Sequence, residues 1–368
     1  MSQRIRGVLA PVVTPFKANL RPDRERFIKH CQWLLWQDCG LAPFGTTSEA
    51  NSMSKDERIS LLDALVAGGI DPSRMMPGTG CCSITETVAL TTHAVRHGCA
   101  GVLMLPPFYY KDVSEEGLYR YFSEVVQRVG GARLRIYLYH IPPVAIVGIT
   151  PKLVERLLRA YPNAIAGMKD SSGDWNNTKT FLDAFSVRAR HETTSKSQTP
   201  SSKSQGSSKI QYPKDEGTSG ARRGGDFDNR TVFDVFVGSE TFLLANMRNG
   251  GAGTISATAN VNPAAIHELY AACVGQSKFE NRKSKLEQQQ TRLNVVREVF
   301  SSRKFPSMIA ALKRAIAIYA NDPEWARVRP PLVELTTEQA KLLDDELKRI
   351  GFAMNGMERA GRATEKVK

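Results

Sequence analysis

The chain has 368 residues, 41% of them hydrophobic, and a formal net charge of +13. That apolar content suffices for a large core, as one barrel or two ordinary domains, and no run of about 18 apolar residues exists to span a bilayer. The opening Met1-Ser2-Gln3-Arg4-Ile5-Arg6 lacks a signal peptide's apolar segment, and the six cysteines (31, 39, 81, 82, 99 and 273) form no CxxC pair, so a cytoplasmic protein with reduced thiols is expected. Nine Lys/Arg against five Asp/Glu lie between residues 188 and 230, and four against two beyond residue 350. No aromatic-studded basic stripe accompanies this charge, so neither a nucleic-acid nor a membrane partner is expected.

Short apolar runs alternate with amphipathic stretches, the pattern of repeated βα units around a parallel sheet. The predicted strands are 8–13, 41–44, 75–78, 101–105, 135–139, 165–169, 235–238 and 253–256. Helices fall between them. Ser54-Lys55-Asp56-Glu57 and Ser83-Ile84-Thr85-Glu86 read as capping boxes, and Thr150-Pro151 places an N-cap before a helix-compatible proline. Eight such units predict an α/β fold, a (β/α)8 TIM barrel over residues 1–275. A C-terminal helical appendix follows over 276–350, with helices near 278–300, 306–319 and 337–350, and 351–368 is expected to be a flexible tail. Residues 188–230 are rich in Ser, Lys, Gly and Thr with little apolar content, and are predicted to be a disordered insertion. It follows a helix and precedes a strand, hence lies at the barrel's amino-terminal face, and deleting residues 193–225 is expected to spare the chemistry.

Side chains from different strands converge at the carboxyl ends of a barrel's strands, so those ends hold the candidate site. The sixth predicted strand ends in Gly167-Met168-Lys169-Asp170-Ser171-Ser172-Gly173. Burial at a strand end disfavours an ammonium ion and makes the nucleophilic free amine accessible, which is what Schiff-base chemistry requires. The second strand ends in Gly45-Thr46-Thr47-Ser48-Glu49, a polar nest suited to a small carboxylate. Pro106-Pro107-Phe108-Tyr109-Tyr110 follows the fourth strand, and Tyr139-His140-Ile141-Pro142 closes the fifth.

These motifs, reading GTTSE, YHIP and GMKDSSG in that order, resemble the dihydrodipicolinate synthase and N-acetylneuraminate lyase family of lysine-dependent lyases that handle pyruvate. The resemblance runs from about residue 7 to 338 apart from the insertion. It implies Lys169 as the imine-forming nucleophile, Tyr139 as proton shuttle, and Thr46 and Tyr110 as relay partners, Tyr110 being contributed by a neighbouring subunit. It further implies that Thr46 and Thr47 hold the substrate carboxylate and that Gly238, Gly253 and Ser256 line the pocket. No cofactor or metal is required, the substrate is a small 2-oxo acid, and a homodimer or homotetramer is implied.

Synthases that use aspartate semialdehyde carry an arginine shortly after the YxxP tyrosine, where this chain has Pro142-Pro143-Val144-Ala145. Valine cannot make a charge-assisted fork to a carboxylate. The stretch from Lys169 to Asp174 is more similar to members that cleave or dehydrate 2-oxo-3-deoxy sugar acids or 4-hydroxy-2-oxo acids, and Pro143, Val144 and Ile146 also suit an apolar aldehyde. The leading expectation is a lyase or aldolase acting on pyruvate or a 2-oxo-3-deoxy acid. The alternatives are 4-hydroxy-tetrahydrodipicolinate synthase and, from another class, a non-catalytic oxo-acid-sensing or scaffold barrel. At the positions that bind feedback lysine in some synthases, Cys82, Lys55 and Arg58 depart from the pattern, so lysine inhibition is not expected. His93 and His97 have the i, i+4 spacing of zinc ligands without an HExxH glutamate, and metal binding is not expected from them. Cys81-Cys82 reads as pocket lining and Gly250-Gly251-Ala252-Gly253 as a tight turn.

Overall fold

The computed structural model describes residues 4–185, 233–275 and 283–357. Seven parallel strands, β1 (Gly7–Ala10), β2 (Gly40–Leu41), β3 (Val102–Met104), β4 (Ile136–His140), β5 (Ile165–Asp170), β6 (Asp234–Val237) and β7 (Gly253–Ile255), form one sheet in the order β2-β1-β7-β6-β5-β4-β3. Every residue of these strands is buried, as parallel strands must be when helices cover one face and the barrel interior the other. The helices are α1 (Arg24–Trp36), α2 (Lys55–Ala67), α3 (Ile84–His97), α4 (Glu115–Val129), α5 (Pro142–Ala145), α6 (Pro151–Ala160) and α7 (Trp175–Phe185). After residue 232 come α8 (Leu243–Arg248), α9 (Pro263–Val274), α10 (Lys283–Phe300), α11 (Met308–Tyr319) and α12 (Thr337–Arg349).

The predicted third strand at 75–78 is present only as isolated parallel bridges, Leu41 to Met75 and Gly78 to Leu103. Pro77 has no N–H to donate, which interrupts any continuous ladder. The segment still closes the barrel. Met76 N–H donates to Leu41 O at 2.8 Å and Gly78 N–H to Pro43 O at 2.7 Å, while on its other side Thr79 N–H donates to Leu103 O and Leu103 N–H to Pro77 O, both at 2.9 Å. β1 is shorter than expected for a similar reason: past Pro11 the backbone turns to side-chain partners, with Val13 N–H donating to Asn260 Oδ1 at 3.0 Å.

Leu9, Ala42, Met76, Leu103, Tyr137, Tyr139, Phe236 and Ile255 fill the barrel interior. The Tyr137 ring takes so much of that space that Gly101, just before β3, and Gly167 of β5 face it. A Cβ on Gly101 would lie 2.7 Å from the ring and one on Gly167 2.9 Å from it. The amino-terminal end is plugged by Asp234, whose buried carboxylate pairs with Arg6 at 2.7 Å and Arg4 at 3.3 Å. A second apolar layer, including Phe27, Leu61, Phe122, Leu157 and Phe181, joins the strands to the surrounding helices.

The expected C-terminal helices are present, and the chain stays docked beyond them. Met354 and Met357 are buried, and Asn355 O accepts from Trp33 Nε1 and Gln37 Nε2, each at 3.1 Å. The tail read as flexible from residue 351 is therefore docked on α1 through residue 357, because two buried methionines and the otherwise unpaired indole N–H favour it. The expected insertion at 188–230 lies outside the described residues, as do the positions beyond 357. No helix among the described residues is long and apolar enough to cross a membrane.

Candidate active site

Parallel pairing of β4 with β5 puts Tyr139 directly beside Lys169. Alternation along each strand then sends both side chains into the barrel and their successors, His140 and Asp170, to the helix side. Lys169 is 4% exposed. Its Nζ lies 3.3 Å from the Tyr139 hydroxyl and 4.4 Å from the centre of the Tyr139 ring. The hydroxyl in turn lies 3.3 Å from Thr46 Oγ1. An amine, a phenol and an alcohol thus form one hydrogen-bonded row at the carboxyl end of the barrel.

Asp170 explains how the row is held. Its carboxylate accepts from Ser172 N–H at 2.9 Å, from Asn177 Nδ2 at 3.2 Å and from the Thr178 hydroxyl, tying the end of β5 to the first turn of α7. The DSSG stretch after Lys169 is therefore scaffold that fixes the lysine. Gly238 closes in from β6: its N–H donates to Asp170 O at 2.7 Å, and a Cβ there would lie 2.0 Å from Ser171 Oγ. Only glycine lets the two strand ends approach so closely.

The GTTSE loop is a tight turn held from both sides. Ser48 is buried, and its hydroxyl accepts from Gly45 N–H at 3.3 Å while its carbonyl accepts from the Thr14 hydroxyl at 2.8 Å. Ser48 thus acts as an internal cap of the turn. Thr46 and Thr47 are half-buried beside the row. Glu49 adopts a left-handed backbone, φ 56°, and its buried carboxylate accepts from the ammonium of Lys313 on α11 and from Arg329 N–H at 2.8 Å. The guanidinium of Arg329 also donates to Ser52 O at 2.6 Å and pairs with Glu57. Sequence reasoning missed this clamp, since its halves lie 264 residues apart.

The remaining expected site residues fall elsewhere. Gly253 opens β7 at its amino end, paired with Gly7, with φ at +141°, and a Cβ there would lie 1.9 Å from Gly7 O. Its glycine serves strand approach at the far end of β7, which corrects the expectation that it lines the pocket. Ser256 does stand at the carboxyl end of β7, but its buried hydroxyl donates to the Glu240 carboxylate, as does that of Thr258, and Arg297 of α10 lies 3.3 Å from Ser256 Oγ. That hydroxyl is committed to protein. Tyr110 is 74% exposed and meets Tyr109 edge-on at 5.4 Å between ring centres; it takes no part in the row within this chain.

The mouth has no arginine after Tyr139. Val144 and Ile146 are 61% and 65% exposed there, and the next arginine, Arg156, faces outward on α6, paired with Glu116 at 2.6 Å and stacked on Tyr119. Cys81 lies 3.3 Å from the Arg58 guanidinium, yet burial raises its thiol above the ordinary range and outweighs that neighbour. It stays a thiol near neutral pH, in keeping with its reading as lining.

The chain matches the dihydrodipicolinate synthetase family over residues 4–188 and 228–350. It is 28% identical over 347 residues to an uncharacterized DapA-like lyase of Chloroflexus aurantiacus, covering 94% of this chain and 97% of that one. It is 32% identical over 262 residues, 70% of either chain, to a 4-hydroxy-tetrahydrodipicolinate synthase of Thermus thermophilus. Among solved structures, dihydrodipicolinate synthase from Agrobacterium tumefaciens aligns with a TM-score of 0.71 at 27% identity, over 94% of this chain and 99% of that one. A 2-keto-3-deoxygluconate aldolase variant from Sulfolobus solfataricus shares the fold, with a TM-score of 0.71 at 17% identity over 94% and 96% of the two chains. The lysine, tyrosine and threonine that the barrel brings together all lie within the matched stretches, and the chain belongs to the dihydrodipicolinate synthetase family of lyases.

Proposed function

We propose that the protein is a Schiff-base-forming lyase or aldolase in which Lys169 attacks the ketone of pyruvate or of a 2-oxo-3-deoxy acid. The observation that carries this reading is the row from Lys169 Nζ through the Tyr139 hydroxyl to Thr46 Oγ1, with 3.3 Å at each step. The free amine adds to the ketone carbon, and loss of water leaves an iminium. As water is lost Tyr139 gives its proton to the departing oxygen, and in the cleavage direction the phenolate so formed takes the proton of the C4 hydroxyl, the C3–C4 bond breaks into the iminium, and an aldehyde departs. The resulting enamine takes a proton at C3, and water releases pyruvate and the lysine. Thr46 relays the tyrosine's proton, which a weakly acidic phenol needs in order to shuttle protons. Thr46 and Thr47 supply donors for the substrate carboxylate, a placement that lowers the barrier by several kcal/mol, roughly 7 to 11 at best.

The exposed rings of Tyr109 and Tyr110 stand beside a mouth that also exposes Val144 and Ile146, and Lys111 Nζ at 3.4 Å from Ala145 O joins the two loops. A second copy of the chain covering them would carry its own Tyr110 toward the relay, so the working unit is at least a dimer, in the cytoplasm.

The test is reductive trapping. Incubation with pyruvate and borohydride is expected to leave an adduct on Lys169, located by peptide mass spectrometry. No adduct with pyruvate or with a 2-oxo-3-deoxy acid, in a folded sample, would remove the imine mechanism and favour a sensing or scaffold barrel.

The names of the curated relatives favour a second reading, condensation of pyruvate with aspartate semialdehyde. The apolar Pro142-Pro143-Val144-Ala145 stretch argues against it. In a reductase-coupled assay, turnover with aspartate semialdehyde is expected to be at least about a hundredfold below that of an arginine-bearing synthase, given the loss of one charged fork worth roughly 3 kcal/mol. Equal turnover would make this chain a synthase.

A further inference from the structure

On α2 and α3, outside the row of Lys169, Tyr139 and Thr46, three side chains come together that the lyase chemistry does not use. Asp63 Oδ1 lies 2.8 Å from His93 Nε2 and 2.8 Å from His97 Nε2. Among the described residues these three form the group of His, Cys, Asp and Glu whose ligand atoms lie within 4.8 Å of one another. We propose that Asp63, His93 and His97 form a binding site for a borderline divalent transition ion of the zinc class, with a fourth position open to water.

Three features carry the assignment. The histidines stand one helical turn apart on α3, so their rings rise from the same face, and they meet edge-on with 4.6 Å between centres. Their helix is anchored beneath them by buried Leu90 and Ala94, which holds both ring bases in place. The third donor comes from a different helix, so the site joins α2 to α3 and does not depend on one flexible segment. Nitrogen and oxygen ligands around zinc sit roughly 2.0–2.2 Å from the ion, hence about 3.3 Å apart in a tetrahedron. Small ring rotations bring the present spacing to that geometry. Two neutral imidazoles and a carboxylate also form a donor set of the right softness for zinc, cobalt or nickel, and a poor one for calcium or magnesium.

In the ion-free chain each histidine can satisfy Asp63 only by donating Nε2–H, because a carboxylate oxygen accepts and does not donate. Binding the ion moves that proton to Nδ1 and presents the Nε2 lone pair. Asp63 then exchanges two hydrogen bonds for one coordinate bond. Arg96, three residues after His93 and exposed, flanks the site as a neighbour on the same helix.

The experiment uses the full chain without a histidine tag, freed of metal by dialysis against a chelator. Cobalt(II) is titrated while visible absorption is read, and zinc is titrated by calorimetry. The expected result is uptake of one ion per chain, with the intense visible bands of a four-coordinate cobalt site. His93→Gln and His97→Gln are each expected to weaken binding at least about tenfold and to remove those bands. Asp63→Asn is expected to weaken binding with less effect on the bands. Lyase activity of the variants should match that of the unaltered chain, since none lies near the row. The proposal is overturned by absence of stoichiometric uptake. It is equally overturned if His93→Gln and His97→Gln bind as the unaltered chain does while Cys82→Ser does not, which would place the ion on the exposed cysteine.

Discussion

Lys169→Ala is expected to abolish turnover, by at least about a thousandfold, and to leave the barrel folded. The nucleophile has no substitute nearby: the groups in reach of the row are a phenol and an alcohol, and neither forms an iminium. The fold survives because the side-chain hydrogen bond that is lost runs only to the Tyr139 hydroxyl, which keeps Thr46 as a partner. Removing a buried amine also removes its desolvation penalty, which offsets part of the packing lost with the stem. Tyr139→Phe separates the two roles. It keeps the ring under the lysine and deletes the proton shuttle, so kcat should fall by about 10² to 10⁴ while borohydride still traps pyruvate on Lys169. If Tyr139→Phe instead prevents trapping and leaves kcat for preformed imine unchanged, the tyrosine positions the amine and does not shuttle protons. Circular dichroism and thermal melting on both variants establish that the readout is chemical.

The architecture was legible because alternation of short apolar runs with capped helices is a local signal, repeated eight times. Where the reading failed, the deciding contact was long-range. Gly253 was implied to line the pocket by the family resemblance, but register against Gly7 decides which end of the barrel it occupies, and register is set by partners far away in sequence. Ser256 lies at the correct end, yet its hydroxyl is taken by Glu240 and approached by Arg297, 41 residues downstream. The spacing of His93 and His97 was visible, whereas Asp63, which completes their group, lies 30 residues from His93 and on another helix. By contrast, the meeting of Lys169, Tyr139 and Thr46 was legible because each lies at the end of its own strand or in the loop after it. The barrel then has a single way to bring carboxyl ends together.

Lys313→Met is expected to damage substrate binding from a position that touches no substrate. Lys313 and Glu49 are both fully buried, the ammonium also donates to Arg327 O at 2.8 Å, and it lies 4.5 Å above the Phe16 ring. Burial lowers the Lys313 pKa from 10.5 to about 8, with Glu49 and Glu334 opposing the shift and Arg329 adding to it. Because the unfolded lysine holds its proton to higher pH, this group weakens the fold at neutral pH, and the penalty is relieved as pH rises through about 8 toward 10.5. The pair is thus a poor source of stability, and its consequence is positional: it pins Glu49, whose N–H donates to Thr46 O at 3.1 Å, and so fixes the turn that carries both threonines of the proposed carboxylate nest. Removing only the lysine strands a buried carboxylate with Arg329 N–H, at about 3 to 5 kcal/mol, and the melting temperature should fall by roughly 10 °C. The Michaelis constant for the 2-oxo acid should rise at least about tenfold, with a smaller change in kcat. Lys313→Met combined with Glu49→Gln removes both charges and should recover most of the stability, yet keep the raised Michaelis constant, because an amide facing a thioether no longer fixes the turn. If the double variant regains stability and substrate affinity together, the pair is structural only, and the nest is held by Ser48 and Thr14 alone.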